Sequence, residues 1–223
     1  MKSAIKRIIN KDIKSLEDLK KNKIYVEFDE NNFLNAKALI IGPDDTIYEN
    51  GLFFFNIEFP TNYPHTPPVL KYISRSKIRI HPNIYVSGKV CLSILGTWKG
   101  PSWTSSMDIS CVLLSLQSLL NNEPLSHEPG FEKYSGPISE DYKSIVYYDN
   151  ILSLFYRNTK YIMDEFIFFQ NIIIDNFKNN KEKIINKLKE IENKELNISV
   201  NIYRINSKID YNFLINKLNK FDL

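Results

Sequence analysis

His81-Pro82-Asn83-Ile84-Tyr85-Val86-Ser87-Gly88-Lys89-Val90-Cys91-Leu92 is the stretch whose reading decides the rest of the chain. A single cysteine follows a glycine-bearing turn and stands eight residues beyond an asparagine. Gly88 accepts the positive φ that turns the chain back and brings Cys91 under Asn83. A thiol suits a reaction in which an acyl group is taken up and later handed on, because thioesters resist water yet yield to amines. Attack by an amine builds negative charge on the carbonyl oxygen. A side-chain amide can stabilise that charge directly, or hold the loop that does, and one such donor is worth roughly 3 kcal/mol. Asn83 is the candidate; the plainer alternative is an amide that stabilises the turn after proline.

Upstream, Phe59-Pro60-Thr61-Asn62-Tyr63-Pro64-His65-Thr66-Pro67-Pro68 approaches this stretch. Pro64, Pro67 and Pro68 cannot join a ladder and predict a stiff exposed loop. Before it, Ile24, Val26 and Phe28 alternate, followed by apolar runs over residues 36–41 and 52–59, with Phe53, Phe55, Ile57 and Phe59 on one side. Gly42-Pro43-Asp44-Asp45-Thr46 and Glu49-Asn50-Gly51 supply turn chemistry between them. With a short fourth strand over residues 69–73, the pattern predicts an antiparallel meander. Residues 3–21 carry Ile5, Ile8, Ile9, Ile13, Leu16 and Leu19 at helical spacing, with Lys6, Arg7, Lys11 and Lys14 between them.

Downstream, Leu95-Gly96-Thr97-Trp98-Lys99-Gly100-Pro101-Ser102-Trp103 forms a tryptophan-bearing loop. Ile109, Val112, Leu113, Leu116, Leu119 and Leu120 then mark a helix that Ser105, Ser106 or Asp108 could cap. Cys111 lies off that stripe and reads as a small packing residue. Asn121-Asn122-Glu123-Pro124-Leu125-Ser126-His127-Glu128-Pro129-Gly130-Phe131-Glu132 is a loop, and a helix runs on from Ser139. Beyond it, Ile162, Phe166, Phe169, Ile173 and Phe177 repeat at helical spacing, as do Ile184, Leu188 and Ile191, with Asn179-Asn180-Lys181 read as a break. Ile198, Val200 and Ile202 alternate like a short strand, and Asp210 would cap a last helix. These stripes are too apolar to hang free and predict packing on the core or on a partner.

Taken in order, the His-Pro-Asn triplet, Cys91, the proline loop and the tryptophan loop resemble the ubiquitin-conjugating enzymes. The Leu-Gly-Thr-Trp-x-Gly-Pro-x-Trp loop, longer than in commoner members, and Glu128-Pro129-Gly130-Phe131-Glu132 resemble the enzyme Z subgroup of that family. The resemblance implies an α+β ubiquitin-conjugating fold, with an N-terminal helix, a four-stranded meander, a central helix and C-terminal helices. It divides the chain into a catalytic core, residues 1–157, and a mostly helical extension packed on it, residues 158–223. It also implies that Cys91 carries ubiquitin or a ubiquitin-like modifier as a thioester, at the lip of the fold, and that Asn83 assists transfer to a substrate lysine or to a ligase. His81 then braces the loop rather than moving a proton, with Pro82 and Gly88 as further support. Ser126 or His127 falls where relatives gate the site; a histidine there could relay a proton from an incoming amine, or never meet substrate. Arg7 and Lys11 fall where the first helix docks the activating enzyme, although a solvated face reads equally well. Pro64, His65, Pro67, Trp98 and Trp103 fall on the loops that meet ring-type ligases, and His65 stands where many relatives have an aromatic residue. The partners implied are the modifier, an activating enzyme, a ligase and protein substrates.

The bulk numbers agree with one domain and an extension: 223 residues, 43% of them hydrophobic, can bury a sizeable core. A net charge of +3 with no basic run argues against nucleic acid. The most apolar run, residues 166–174, is broken by Gln170 and Asn171 and falls short of the roughly 18 residues a membrane span needs. Two scattered cysteines predict neither a disulfide framework nor a zinc cage, and residues 1–7 hold no signal-peptide core. These readings predict a cytoplasmic, or also nuclear, protein. No phosphate loop occurs, so no cofactor is expected, ATP chemistry falling to the activating enzyme. A cysteine hydrolase would need a base held against Cys91, and no such local signature occurs. A catalytically silent ubiquitin-binding scaffold of the same fold would lack the cysteine, which is present.

Overall fold

The computed structural model describes residues 2–156, 164–192 and 194–221. The first twenty-odd residues form one helical run. It consists of α1, Lys2–Arg7, a widened π-type turn over Ile8–Asp12, α2, Ile13–Glu17, and a tighter 3-10 end over Asp18–Asn22. The expected regular helix is thus interrupted, and the widened turn carries Asp12, which is fully buried.

Strands β1, Ile24–Asp29, β2, Asn32–Ile41, β3, Leu52–Glu58, and β4, Val69–Tyr72, pair in that order as an antiparallel meander. In β3 the expected one-sided pattern gives way to burial of Leu52 through Phe55 on both faces. The cause lies in the extension: Phe166 packs edge-on against Phe54, ring centroids 4.8 Å apart. Helix α3, Ile109–Leu119, is capped by Asp108, whose carboxylate accepts from the Ser110 N–H at 3.1 Å. It buries Ile109, Val112, Leu113, Leu116 and Leu119. Helix α4 runs Pro137–Tyr156.

The extension is mostly helical and differs from its expected form in two ways. Helix α5, Gln170–Glu190, is continuous through Asn179-Asn180-Lys181. Without glycine or proline there is no strong breaker, and Asn180 donates back to the Asn176 carbonyl at 2.8 Å. The short strand becomes a hairpin, β5, Glu195–Val200, paired with β6, Ile205–Asp210, before α6, Tyr211–Lys220. Asp210 caps α6, accepting from the Phe213 N–H at 2.9 Å. Ile162 and the expected division at residues 157/158 lie outside the described residues.

The extension lies against the core. Phe177 meets Phe155 at 6.2 Å between centroids, and Tyr211 meets Tyr148 at 5.7 Å. Lys183 and Lys187, one turn apart on α5, each donate to one carboxylate oxygen of buried Glu49 in the β2–β3 turn. Burial opposes ionisation of Glu49, but these two ammonium donors hold its carboxyl below the ordinary range. Among the described residues no helix is long and apolar enough to cross a membrane.

Candidate functional site

The backbone of residues 79–81 is pinned first. Tyr142 of α4 donates to the Arg79 carbonyl and Tyr48 to the Ile80 carbonyl, each at 2.7 Å. On this fixed stretch stands His81, fully buried. Its Nδ1 accepts from the Asn83 N–H at 3.0 Å, which leaves the ring proton on Nε2. Burial, then the neighbouring His127 and Arg79, push its pKa well down, so the ring is neutral at pH 7. It braces the turn as a neutral ring, without the acidic proton of an imidazolium.

Asn83 and Cys91 grip each other. The Cys91 N–H donates to the Asn83 carbonyl at 2.8 Å, and the Asn83 side-chain amide donates to the Cys91 carbonyl at 2.9 Å. Asn83 Oδ1 is buried with no hydrogen-bond partner among the described residues. In this conformation the amide is therefore a loop-holding group. Gly88 makes the return possible: its φ is +92° and its carbonyl accepts from the Tyr72 N–H of β4 at 2.8 Å. A Cβ there would stand 2.8 Å from the Tyr72 carbonyl oxygen, so only glycine lets the loop dock on the sheet.

Cys91 itself corrects an expectation. It is 1% exposed rather than open at a lip. Both its flanks are tied down by Thr97 in the tryptophan loop, whose hydroxyl donates to the Val90 carbonyl at 2.8 Å and accepts from the Leu92 N–H at 2.9 Å. Sequence reading used Thr97 only as part of a motif; a hydroxyl beside a positive-φ glycine, Gly96, is the signal that marks such a clamp.

The loop over residues 121–132 comes to the site from the other side. The His127 ring lies tilted beside that of His81, centroids 5.0 Å apart, and shares a 3.0 Å hydrogen bond with the Asn121 amide nitrogen. Its half-burial lowers its pKa. Ser126 is spent on the loop, donating to the Glu123 carbonyl at 2.6 Å. Pro82 is buried, and its carbonyl accepts from Arg79. Arg79, Glu128 and Tyr203, which sequence reading passed over, meet beside this loop.

The other predicted residues lie elsewhere. Arg7 faces inward, donating to the Met107 carbonyl at 2.8 Å and lying 3.5 Å from Asp12. Its side chain is 16% exposed and is engaged within the chain. Lys11 bonds the Ser106 carbonyl yet keeps its side chain about half exposed. Trp103 donates to the Pro64 carbonyl at 2.7 Å and so joins the tryptophan loop to the proline loop. His65 and Trp98 are exposed and Pro67 is half-buried. Cys111 is half-buried, its sulfur 3.7 Å from the Asp108 carboxylate. Among the described residues no group of three or more His, Cys, Asp or Glu side chains could hold a metal ion.

Residues 8–147, which contain His81, Asn83, Cys91 and the loop over residues 121–132, match the family model described as ubiquitin-conjugating enzyme. The chain belongs to the ubiquitin-conjugating enzyme family. It is similar to ubiquitin-conjugating enzyme E2 Z of Danio rerio, 44% identical over 131 residues that make up 58% of this chain and 40% of that protein. The E2 Z proteins of Xenopus tropicalis and Homo sapiens are each 41% identical, over 147 and 146 residues. Those matches cover 64% of this chain in both cases, and 47% and 41% of the relatives. The chain thus spans less than half the length of these curated relatives.

Proposed function

We propose that this chain accepts ubiquitin or a ubiquitin-like modifier from an activating enzyme as a thioester on Cys91 and passes it to a lysine or a ligase. The observation that carries the reading is the reciprocal Asn83–Cys91 grip within the family-matched span. In loading, the Cys91 sulfur attacks the thioester carbonyl held on the activating enzyme. One C–S bond forms as the other breaks, and the thiol proton goes to the departing thiolate. Such exchange is nearly balanced in free energy, so no base need stand beside Cys91. In discharge the amine nitrogen attacks the same carbon, the C–N bond forms, the Cys91 thiolate leaves and the amine gives up a proton. Asn83, by holding the Cys91 carbonyl, keeps the thioester in one place while charge builds on its oxygen.

The covered thiol requires that the surrounding loops part before loading. One assay separates this reading from that of a catalytically silent ubiquitin-binding scaffold. Incubated with activating enzyme, ATP and ubiquitin, the wild type gives a reductant-sensitive adduct, and Cys91→Ser gives a reductant-resistant oxyester. Binding of ubiquitin without any adduct would establish the scaffold instead.

A further inference from the structure

Arg79 stands two residues ahead of His81, and its guanidinium meets groups from four residues. Its guanidinium donates to the carbonyl of Pro82, the peptide unit from which Asn83 continues. It lies 3.8 Å from the ring centroid of Tyr85, in the Cys91 loop, and 4.9 Å from that of Tyr203. Glu128, on the loop over residues 121–132, stands 3.8 Å away. Tyr203 comes from the extension: it sits at the tip between β5 and β6, and its hydroxyl donates to the same Glu128 oxygen at 2.7 Å. The residue after it, Arg204, takes left-handed backbone with φ 53°, a costly conformation for a side chain, and the tip is turned so that Tyr203 faces the core.

The contacts therefore form a short unbroken path: the extension's tyrosine, the loop's carboxylate, the guanidinium, and the peptide plane that sets where Asn83 starts. A cation held between two aromatic faces and a carboxylate has little freedom left, and that rigidity passes to whatever it hydrogen-bonds.

We propose that Arg79 is a positioning residue for Asn83, clamped by Glu128 and by Tyr203, so that the C-terminal extension governs the amine-transfer step at Cys91. This rests on the reading of Cys91 as the thioester site given above. A shift of about an ångström in a group that holds the reacting centre can cost up to a hundredfold in rate, so loosening one link of the clamp slows discharge by roughly tenfold.

The test uses the full chain and Tyr203→Phe, which keeps the ring over Arg79 and removes only the bond to Glu128. Cys91 is charged, activation is quenched, free lysine is added, and loss of the adduct is followed on a non-reducing gel. Tyr203→Phe and Glu128→Gln charge to the wild-type extent and discharge roughly tenfold slower. In the Asn83→Ala background, Tyr203→Phe adds nothing, because the clamp acts through Asn83. Wild-type discharge by Tyr203→Phe, or an equal slowing with and without Asn83, overturns the proposal. If even the wild type forms no adduct, the thioester reading fails by itself, and positioning is read from the Asn83 side-chain amide resonances. A shift in Tyr203→Phe supports the clamp; unchanged resonances overturn it.

Discussion

Two knots of buried polar groups tie distant parts of this chain together, and they differ in what they fasten. At Asp12, one carboxylate oxygen accepts from the Tyr63 hydroxyl and from the Ile109 N–H at 2.9 Å, and the other faces Arg7 at 3.5 Å. The first helix, the proline loop and the start of α3 are thereby fastened at one point. Each knot leaves buried atoms without a hydrogen-bond partner among the described residues: Arg7 Nη1 and Asp12 Oδ2 in the first, Arg79 Nε and Asn83 Oδ1 around Arg79. Unmet buried atoms cost stability in both places. What separates them is place: the first joins three elements of the fold, and the second borders the Cys91 loop, where the proposed chemistry would need it.

The sharpest way to break that distinction is Asp12→Ala. Removing one partner of a buried charged cluster costs about 3–5 kcal/mol, so the urea midpoint falls steeply. A variant as stable as the wild type would erase the contrast. Burial, the largest influence on Asp12, raises its pKa against the hydrogen bonds that oppose it. Asn83→Ala tests the other knot. Stability falls by only about 1 kcal/mol, charging is normal, and discharge to lysine slows about a hundredfold. Large destabilisation with normal discharge would make Asn83 a fold residue after all.

A smaller effect comes from His81, whose folded pKa lies well below the ordinary 6.5 because it is buried. Below that pH the unfolded chain binds a proton that the folded chain refuses. Stability is therefore intact above about pH 6.5 and is lost as pH falls below it, by up to about 1.4 kcal/mol per pH unit. Urea titrations at pH 7, 6.5, 6 and 5.5 measure the slope, and a flat profile contradicts the neutral buried ring. Lys208→Ala is the smallest case. Its pair with Glu195 at 2.6 Å is open to solvent and outside both knots, so the midpoint does not move.

The meander was legible because alternation and turn residues agree over residues 24–72. Helix α3 was legible from its stripe, and of the three caps on offer the fold uses Asp108. The knots were not, since each is built by residues far apart in sequence. Asp12, flanked by Lys11 and Lys14, reads as one more charge on a solvated face until Tyr63 and Ile109 are brought to it by the fold. Tyr203 hides at the end of an apparent strand, because Asn201-Ile202-Tyr203-Arg204 contains neither glycine nor proline to announce the hairpin. Cys91 and Asn83 were singled out by the His-Pro-Asn triplet, the spacing to the cysteine and the resemblance these carry. Burial of the thiol could not be read, since it depends on Thr97 and on loops that arrive from elsewhere.

The claim on which all this turns is that a covered thiol opens to take an acyl group. Mass spectrometry of the chain after incubation with activating enzyme, ATP and ubiquitin, without reductant, addresses it directly. The account predicts one ubiquitin on the peptide that bears Cys91, removed by thiol reagents. No adduct on that peptide, or one found only on Cys111, would contradict it.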